Sequence, residues 1–141
     1  MREKAPLMLM EQLLMVLVFA LAAAVCVQAF ALSDRLSKDS EALDHAVVVA
    51  ENAAEAWKHA GGNLTLLSQT EGGQLSQGLW WQLLNENWKV TGKTADACYR
   101  VEIFPDERDE WGVCYAQVLV YPVDGDDAIY TLRTACQEAE I

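Results

Sequence analysis

The distribution of apolar side chains changes character twice along this chain. From Leu13 to Val27 every residue is apolar, and admitting Glu11, Gln12 and Gln28 extends the run from Leu7 to Leu32. At 1.5 Å per residue this predicts roughly 39 Å of helix, enough to cross a hydrocarbon core of about 30 Å. Beyond Leu32 the run gives way to a stripe. Leu36, Leu43, Val47, Ala50, Ala54 and Trp57 recur at helical spacing, interrupted at Ser40, which is the signature of one apolar face on an amphipathic helix. Asp34, Arg35, Lys38, Asp39, Glu41, Asp44, Glu51, Glu55 and Lys58 lie between those positions. No Pro or Gly intervenes before Gly61 and Gly62. Lys58 and His59 suit the negative end of the helix dipole, and Gly61 suits a left-handed cap. The pattern therefore predicts a single rod from about residue 7 to about residue 60, roughly 80 Å long.

The stripe spans about three heptads and includes two alanines and a serine. Such a stripe can drive a coiled coil, but its shortness and small residues favour packing on the chain's own sheet. The rest of the chain supplies one. Residues 61–78 are rich in Gly, Ser, Thr, Gln and Asn, which reads as a loop with one helical turn. Leu79–Leu84 and Trp88–Val90 flank Asn85-Glu86-Asn87, a hairpin with a three-residue turn. Cys98–Phe104, Val113–Tyr121 and Ala128–Cys136 read as three further strands, the first two stopped by Pro105 and Pro122. Short links make these an antiparallel meander with one face in need of a cover. The fold class is accordingly α+β, a long N-terminal helix packed by its second half on a small antiparallel sheet.

Composition sharpens this picture through its placement. The chain has 141 residues, 10 basic and 21 acidic side chains, a net charge of −11 and 52% apolar residues. Residues 1–32 carry only Arg2, Glu3, Lys4 and Glu11, so the whole negative charge lies beyond them. An acidic chain lacks the basic face that nucleic-acid binding requires. Arg2 and Lys4 precede the apolar run and an acidic stretch follows it, so the positive-inside rule places the N-terminus in the cytoplasm and the remainder outside. A cleavable signal peptide competes, because Ala29-Phe30-Ala31 resembles a cleavage site.

Candidate chemistry is sparse. His45 and His59 lie fourteen residues apart, too far to share one metal ion, and are the only histidines, which leaves almost no material for Ser-His-Asp or Cys-His catalysis. There is no Gly-rich phosphate loop, and no cofactor is implied. Asp124-Gly125-Asp126-Asp127 and the Asp106–Glu110 run offer oxygens to a hard cation, but neither has EF-hand spacing, and no metal site is assigned. Asn63-Leu64-Thr65 matches a glycosylation sequon. The four cysteines lack paired C-x-x-C spacing, which disfavours zinc. If the last hairpin turns about Gly125, Cys114 and Cys136 stand opposite one another and form the best disulfide pair by register. Cys98 is then left over, and Cys26 lies in the apolar helix. Trp80, Trp81, Trp88 and Trp111 suit either a small core or a binding surface.

A short basic leader, an apolar helix with one early glutamate, and an amphipathic extension onto an antiparallel sheet together resemble type IV pilins and type II secretion pseudopilins. Leu7-Met8-Leu9-Met10-Glu11 is similar to the family's Phe-Thr-Leu-Ile-Glu start, with Glu11 at the fifth position. Leu79–Gln82 with Asn87-Trp88-Lys89 is similar to a hairpin of Gram-positive pilin-like proteins. The resemblance implies processing between residues 6 and 7, where Pro6 stands in place of the family's glycine. It also implies an assembly role for Glu11. Read as residues alone, Glu11 is a carboxylate near the edge of a bilayer, able to snorkel to the interface or to set register between packed helices.

The expected organisation is a leader or cytoplasmic tail over residues 1–6, a transmembrane helix over 7–32, an amphipathic extension over 33–60 and an extracytoplasmic sheet domain over 61–141. The expected protein is a non-enzymatic, single-pass membrane subunit of a bacterial cell envelope. Its partners are the membrane and other pilin-like subunits, as a homo- or hetero-oligomer, and not nucleic acid. The alternative is an anchored binding or accessory domain that does not polymerise.

Overall fold

A computed structural model describes residues 4–137. The expected leader's Met1, Arg2 and Glu3 lie outside the described residues. Helix α1 runs over Lys4–His59 without a break. Helix α2 covers Leu64–Thr70, and five strands follow: β1 (Gln74–Ser76), β2 (Leu79–Leu84), β3 (Tyr99–Pro105), β4 (Val113–Pro122) and β5 (Tyr130–Gln137). The fold is α+β, as the periodicities predict. Pro6 sits in the first turn of α1, where its missing N–H removes no intrahelical bond.

The chain divides into two compact units, one ending at Ser40 and the other beginning at Glu41. In the first, every described side chain is exposed.

In the second unit the strands form one antiparallel sheet in the order β1-β2-β3-β4-β5. Chain order and spatial order coincide, so each strand lies beside its neighbour in sequence. Strand β4 alternates strictly, with Cys114, Ala116, Val118 and Val120 buried and the residues between them half-buried. Val101 and Ile103 of β3 join that buried face, and the last turns of α1 cover it with Ala46, Ala50, Ala53, Ala54 and Trp57. The small residues let the helix axis approach the sheet, and Trp57, fully buried, supplies the bulk.

The covering face is shorter than the sequence stripe. Leu36 and Leu43 are 61% and 42% exposed, and burial begins only at Ala46. The helical period marks both positions as apolar, but the sheet lies against the later turns only.

Two local readings are also corrected. The stretch after α1 is more ordered than a loop, holding both α2 and β1. Asn63 caps α2, its Oδ1 accepting from the backbone N–H groups of Thr65 and Leu66 at 2.9 and 3.2 Å. Strand β1 is exposed at all three residues, so it carries no alternation for sequence reasoning to detect. The expected second arm of the Asn85–Asn87 hairpin shrinks to one bridge, Leu84 with Val90. Asn85 Oδ1 accepts from the backbone N–H of Asn87 at 2.9 Å and of Lys89 at 3.0 Å, and Trp88 takes a left-handed φ of 60°. That turn bends the chain away before a ladder can form.

Candidate functional site

The most unusual surface in the described residues is the apolar length of α1. Leu7, Met8, Leu9 and Met10 are 66–71% exposed, and Phe19 and Phe30 reach 77%. A side chain of this size gains roughly 1.5–3 kcal/mol on leaving water. Summed over Leu7 to Leu32, removing this surface from water is worth more than the ~5–15 kcal/mol that holds a typical domain folded. Monomeric soluble proteins rarely expose contiguous apolar patches larger than a few hundred Å². Of the described elements, α1 alone is long and apolar enough to cross a membrane, with none of its most apolar segment buried. Glu11 is exposed on this segment with Pro6 and Leu7 one to two turns before it, and Cys26 is exposed further along. Ala20, Ala22, Ala23 and Ala24 give the helix a stretch of small side chains.

The remaining sequence-marked residues lie in the second unit. Strands β4 and β5 place Cys114 directly opposite Cys136, both as free thiols. Burial, together with the neighbouring Cys114 sulfur, pushes the Cys136 thiol above its ordinary range, and Lys58 and Arg108 oppose that shift. His45 stacks on Trp88 at 5.6 Å between ring centroids, and Trp88 stacks on Tyr99 at 3.7 Å. These rings pin the Asn85 turn to the helix.

The tryptophans divide by strand parity. Trp80 points into the core, where its indole N–H donates to the Gly72 carbonyl at 2.8 Å. Trp81 lies on the opposite face, half-buried, and Trp111 is 84% exposed at a loop tip. On that opposite face Glu102 is nearly buried, its Oε1 2.6 Å from Arg100 Nε. The contact is a close ion pair whose alignment falls short of a hydrogen bond. The Arg100 guanidinium sits 5.5 Å from the centre of the Tyr121 ring. Burial, then the Glu102 charge, raises the Tyr121 phenol above its usual value, against the pull of Arg100.

The acidic loop after β3 has an internal structural role that the sequence did not reveal. Asp109 Oδ1 accepts from the backbone N–H groups of Val113 at 2.8 Å and Trp111 at 3.0 Å, and Oδ2 accepts from the Tyr115 hydroxyl at 3.2 Å. The Val113 N–H bond leads the causes that hold the Asp109 carboxyl below the usual range. The bond to Asp109 raises the Tyr115 phenol. Among the described residues no group of three or more His, Cys, Asp or Glu side chains is placed to hold a metal ion. Asn63 of the sequon is occupied as the α2 cap.

One cleft, about 210 Å³, opens between α1 and β2, lined by Val49, Ala53, Ala56, Trp80 and Trp88 among others. It is smaller than the roughly 300 Å³ at which small-molecule sites begin, whereas an open depression of about 400 Å³ lies at the Asn85 turn, lined by Asn85, Asn87, Thr91, Asp96 and Cys98 among others. No protein-family model, no curated protein and no solved structure matches this chain.

Proposed function

We propose that the chain is a non-catalytic, pilin-like or pseudopilin-like membrane subunit, contributing to a type IV pilus or type II secretion-like assembly of a bacterial cell envelope. The observation that carries this reading is α1. Its first part is apolar and exposed along its whole circumference, interrupted by a single carboxylate, Glu11, while its last turns form the cover of an antiparallel sheet. In this proposal the apolar part crosses the membrane once, with the N-terminus in the cytoplasm and the acidic remainder outside. Neighbouring subunits meet through α1. Lipid offers no hydrophobic drive for helix association, so close packing at small residues such as Ala20, Ala22, Ala23 and Ala24 carries it. Glu11 then sets the register between neighbours, because a carboxylate in lipid is stable only beside a partner.

Pro6 favours a second reading. A residue other than glycine before Leu7 supports an uncut leader and a permanently anchored accessory domain that does not polymerise.

The N-terminal sequence and mass of the membrane-extracted protein separate the readings. A start at Leu7 supports the assembled subunit, an intact Met1 supports the anchored domain, and a start at Leu32 means a secreted protein. Crosslinking through Cys26 adds the oligomeric state. Glu11→Ala is expected to reduce recovery in the assembled fraction, and unchanged recovery would remove Glu11 from assembly.

A further inference from the structure

Beneath the turn that joins α1 to α2, three elements converge on one point. A Cβ built on Gly62 would lie 3.1 Å from Cys136 Sγ, 3.4 Å from Cys114 Cβ and 3.5 Å from the Trp57 ring. Cys114 and Cys136 are paired across β4 and β5. Their side chains share the core face, with Cys114 6% exposed and Cys136 packed against the same cluster. Directly opposed residues of an antiparallel pair have Cα atoms about 4.5–5.5 Å apart, inside the roughly 4.4–6.8 Å that a disulfide spans. Among the described residues, strand β5 is the last in the sheet, with no strand on its far side.

We propose that Cys114 and Cys136 form an oxidisable dithiol site, which a small-molecule or protein disulfide converts to an intramolecular bond that locks the edge strand β5 to β4. Cys136 is the more accessible of the two and reacts first. Its thiolate attacks one sulfur of the oxidant, forming a mixed disulfide and releasing the other sulfur as a thiolate. The Cys114 thiolate then attacks the Cys136 sulfur, closing the protein disulfide and releasing the second thiolate. The two protein thiols lose two protons and two electrons, and the oxidant disulfide becomes two thiols. Gly62 leaves room above the sulfurs for this bond. Cys98 has no part in it, because it lies just before β3, where Cys98 N–H donates to Leu84 and its carbonyl accepts from Val123.

Burial holds the Cys136 thiol in its protonated form more than an exposed thiol, so exchange is slower at neutral pH than at alkaline pH. Oxidation inside a cell envelope rests on the extracytoplasmic placement proposed above, whereas the dithiol itself does not.

The test uses full-length protein in detergent, incubated with oxidised glutathione, quenched in acid, alkylated in denaturant and mapped by mass. The expected product links the Cys114 and Cys136 peptides and is lighter by two hydrogens, with Cys26 and Cys98 alkylated or carrying glutathione. Cys98→Ser is expected to leave that link intact. Amides of Tyr130–Gln137 are expected to exchange roughly tenfold more slowly in the oxidised form than in the reduced form. Alkylation of both Cys114 and Cys136 at every glutathione ratio overturns the proposal, as does a link from Cys98 to either. Acid-trapped whole cells test the placement separately. A link that forms in detergent but is absent in cells leaves the dithiol standing and counts against the extracytoplasmic reading.

Discussion

Single residues in this protein act mainly by closing turns. Gly73 has a φ of +87°, and a Cβ there would lie 2.5 Å from Trp80 Nε1. Gly73→Ala is therefore expected to lower the unfolding free energy of the full chain, measured by chemical denaturation in detergent, by more than the ~0.5 kcal/mol of a typical surface change. Gly78 has a φ of +82° with open space around it, so Gly78→Ala carries only the backbone strain and is expected to cost less. Asp109 gives a pH prediction. Its folded pKa lies below the unfolded value of about 3.9. Its contribution is therefore complete above that value and is lost as pH falls through the folded pKa. Tyr115 has the opposite sense. Its pKa is raised, so its contribution is present below about 10 and lost as pH rises through the folded value. Amide protection of Trp111 and Val113 is expected to fall at both extremes, and in Asp109→Ala to be low throughout. Protection unchanged by that substitution would show that the loop holds itself by other means.

At the level of elements, α1 shows how one helix can obey a single period and still divide its roles. The turns from Ala46 to Trp57 meet the sheet through small residues and one large ring. Ala50 is fully buried, so Ala50→Leu forces extra volume into a filled space and is expected to cost about 1–3 kcal/mol. Trp57→Ala is expected to cost about 3–5 kcal/mol. Leu43, on the same stripe but 42% exposed, is the control, and Leu43→Ser is expected to change stability by about 0.5 kcal/mol or less. Chemical denaturation of the three variants in detergent checks the ranking. Equal effects at Leu43 and Trp57 would mean that the helix is covered further toward its N-terminus.

For the whole molecule, the separation of charge from hydropathy is the governing property. The net charge of −11 lies entirely beyond residue 32, while the exposed apolar surface is concentrated before it. Placing a charge at the middle of the apolar run opposes insertion by about 2.5–3.5 kcal/mol. Phe19→Arg is therefore expected to reduce recovery in the membrane fraction, whereas Trp111→Arg, in the acidic loop of the second unit, is expected to leave it unchanged. Recovery of both variants at the level of the parent chain would remove the membrane-spanning reading of α1.

Much of this architecture is legible from periodicity alone. The continuous apolar run, the helical stripe after it and the alternation of β4 are each set by local geometry, because a helix repeats every 3.6 residues and a strand every two. The register of Cys114 with Cys136 is also legible, since a short hairpin about Gly125 leaves one alignment that keeps the apolar side chains on one face. Strand β1 is not, because an exposed three-residue edge strand is held by its partner β2 and not by its own pattern. The reach of the buried stripe was likewise decided by tertiary structure, because it depends on where strands distant in the chain pack on α1. The role of Asp109 and the left-handed turn at Trp88 are local, held by bonds that span six residues or fewer, but no periodic pattern announces them. The sequence by itself determined where apolar surface must leave water, and the tertiary structure decided which of that surface the sheet covers and which it leaves exposed on α1.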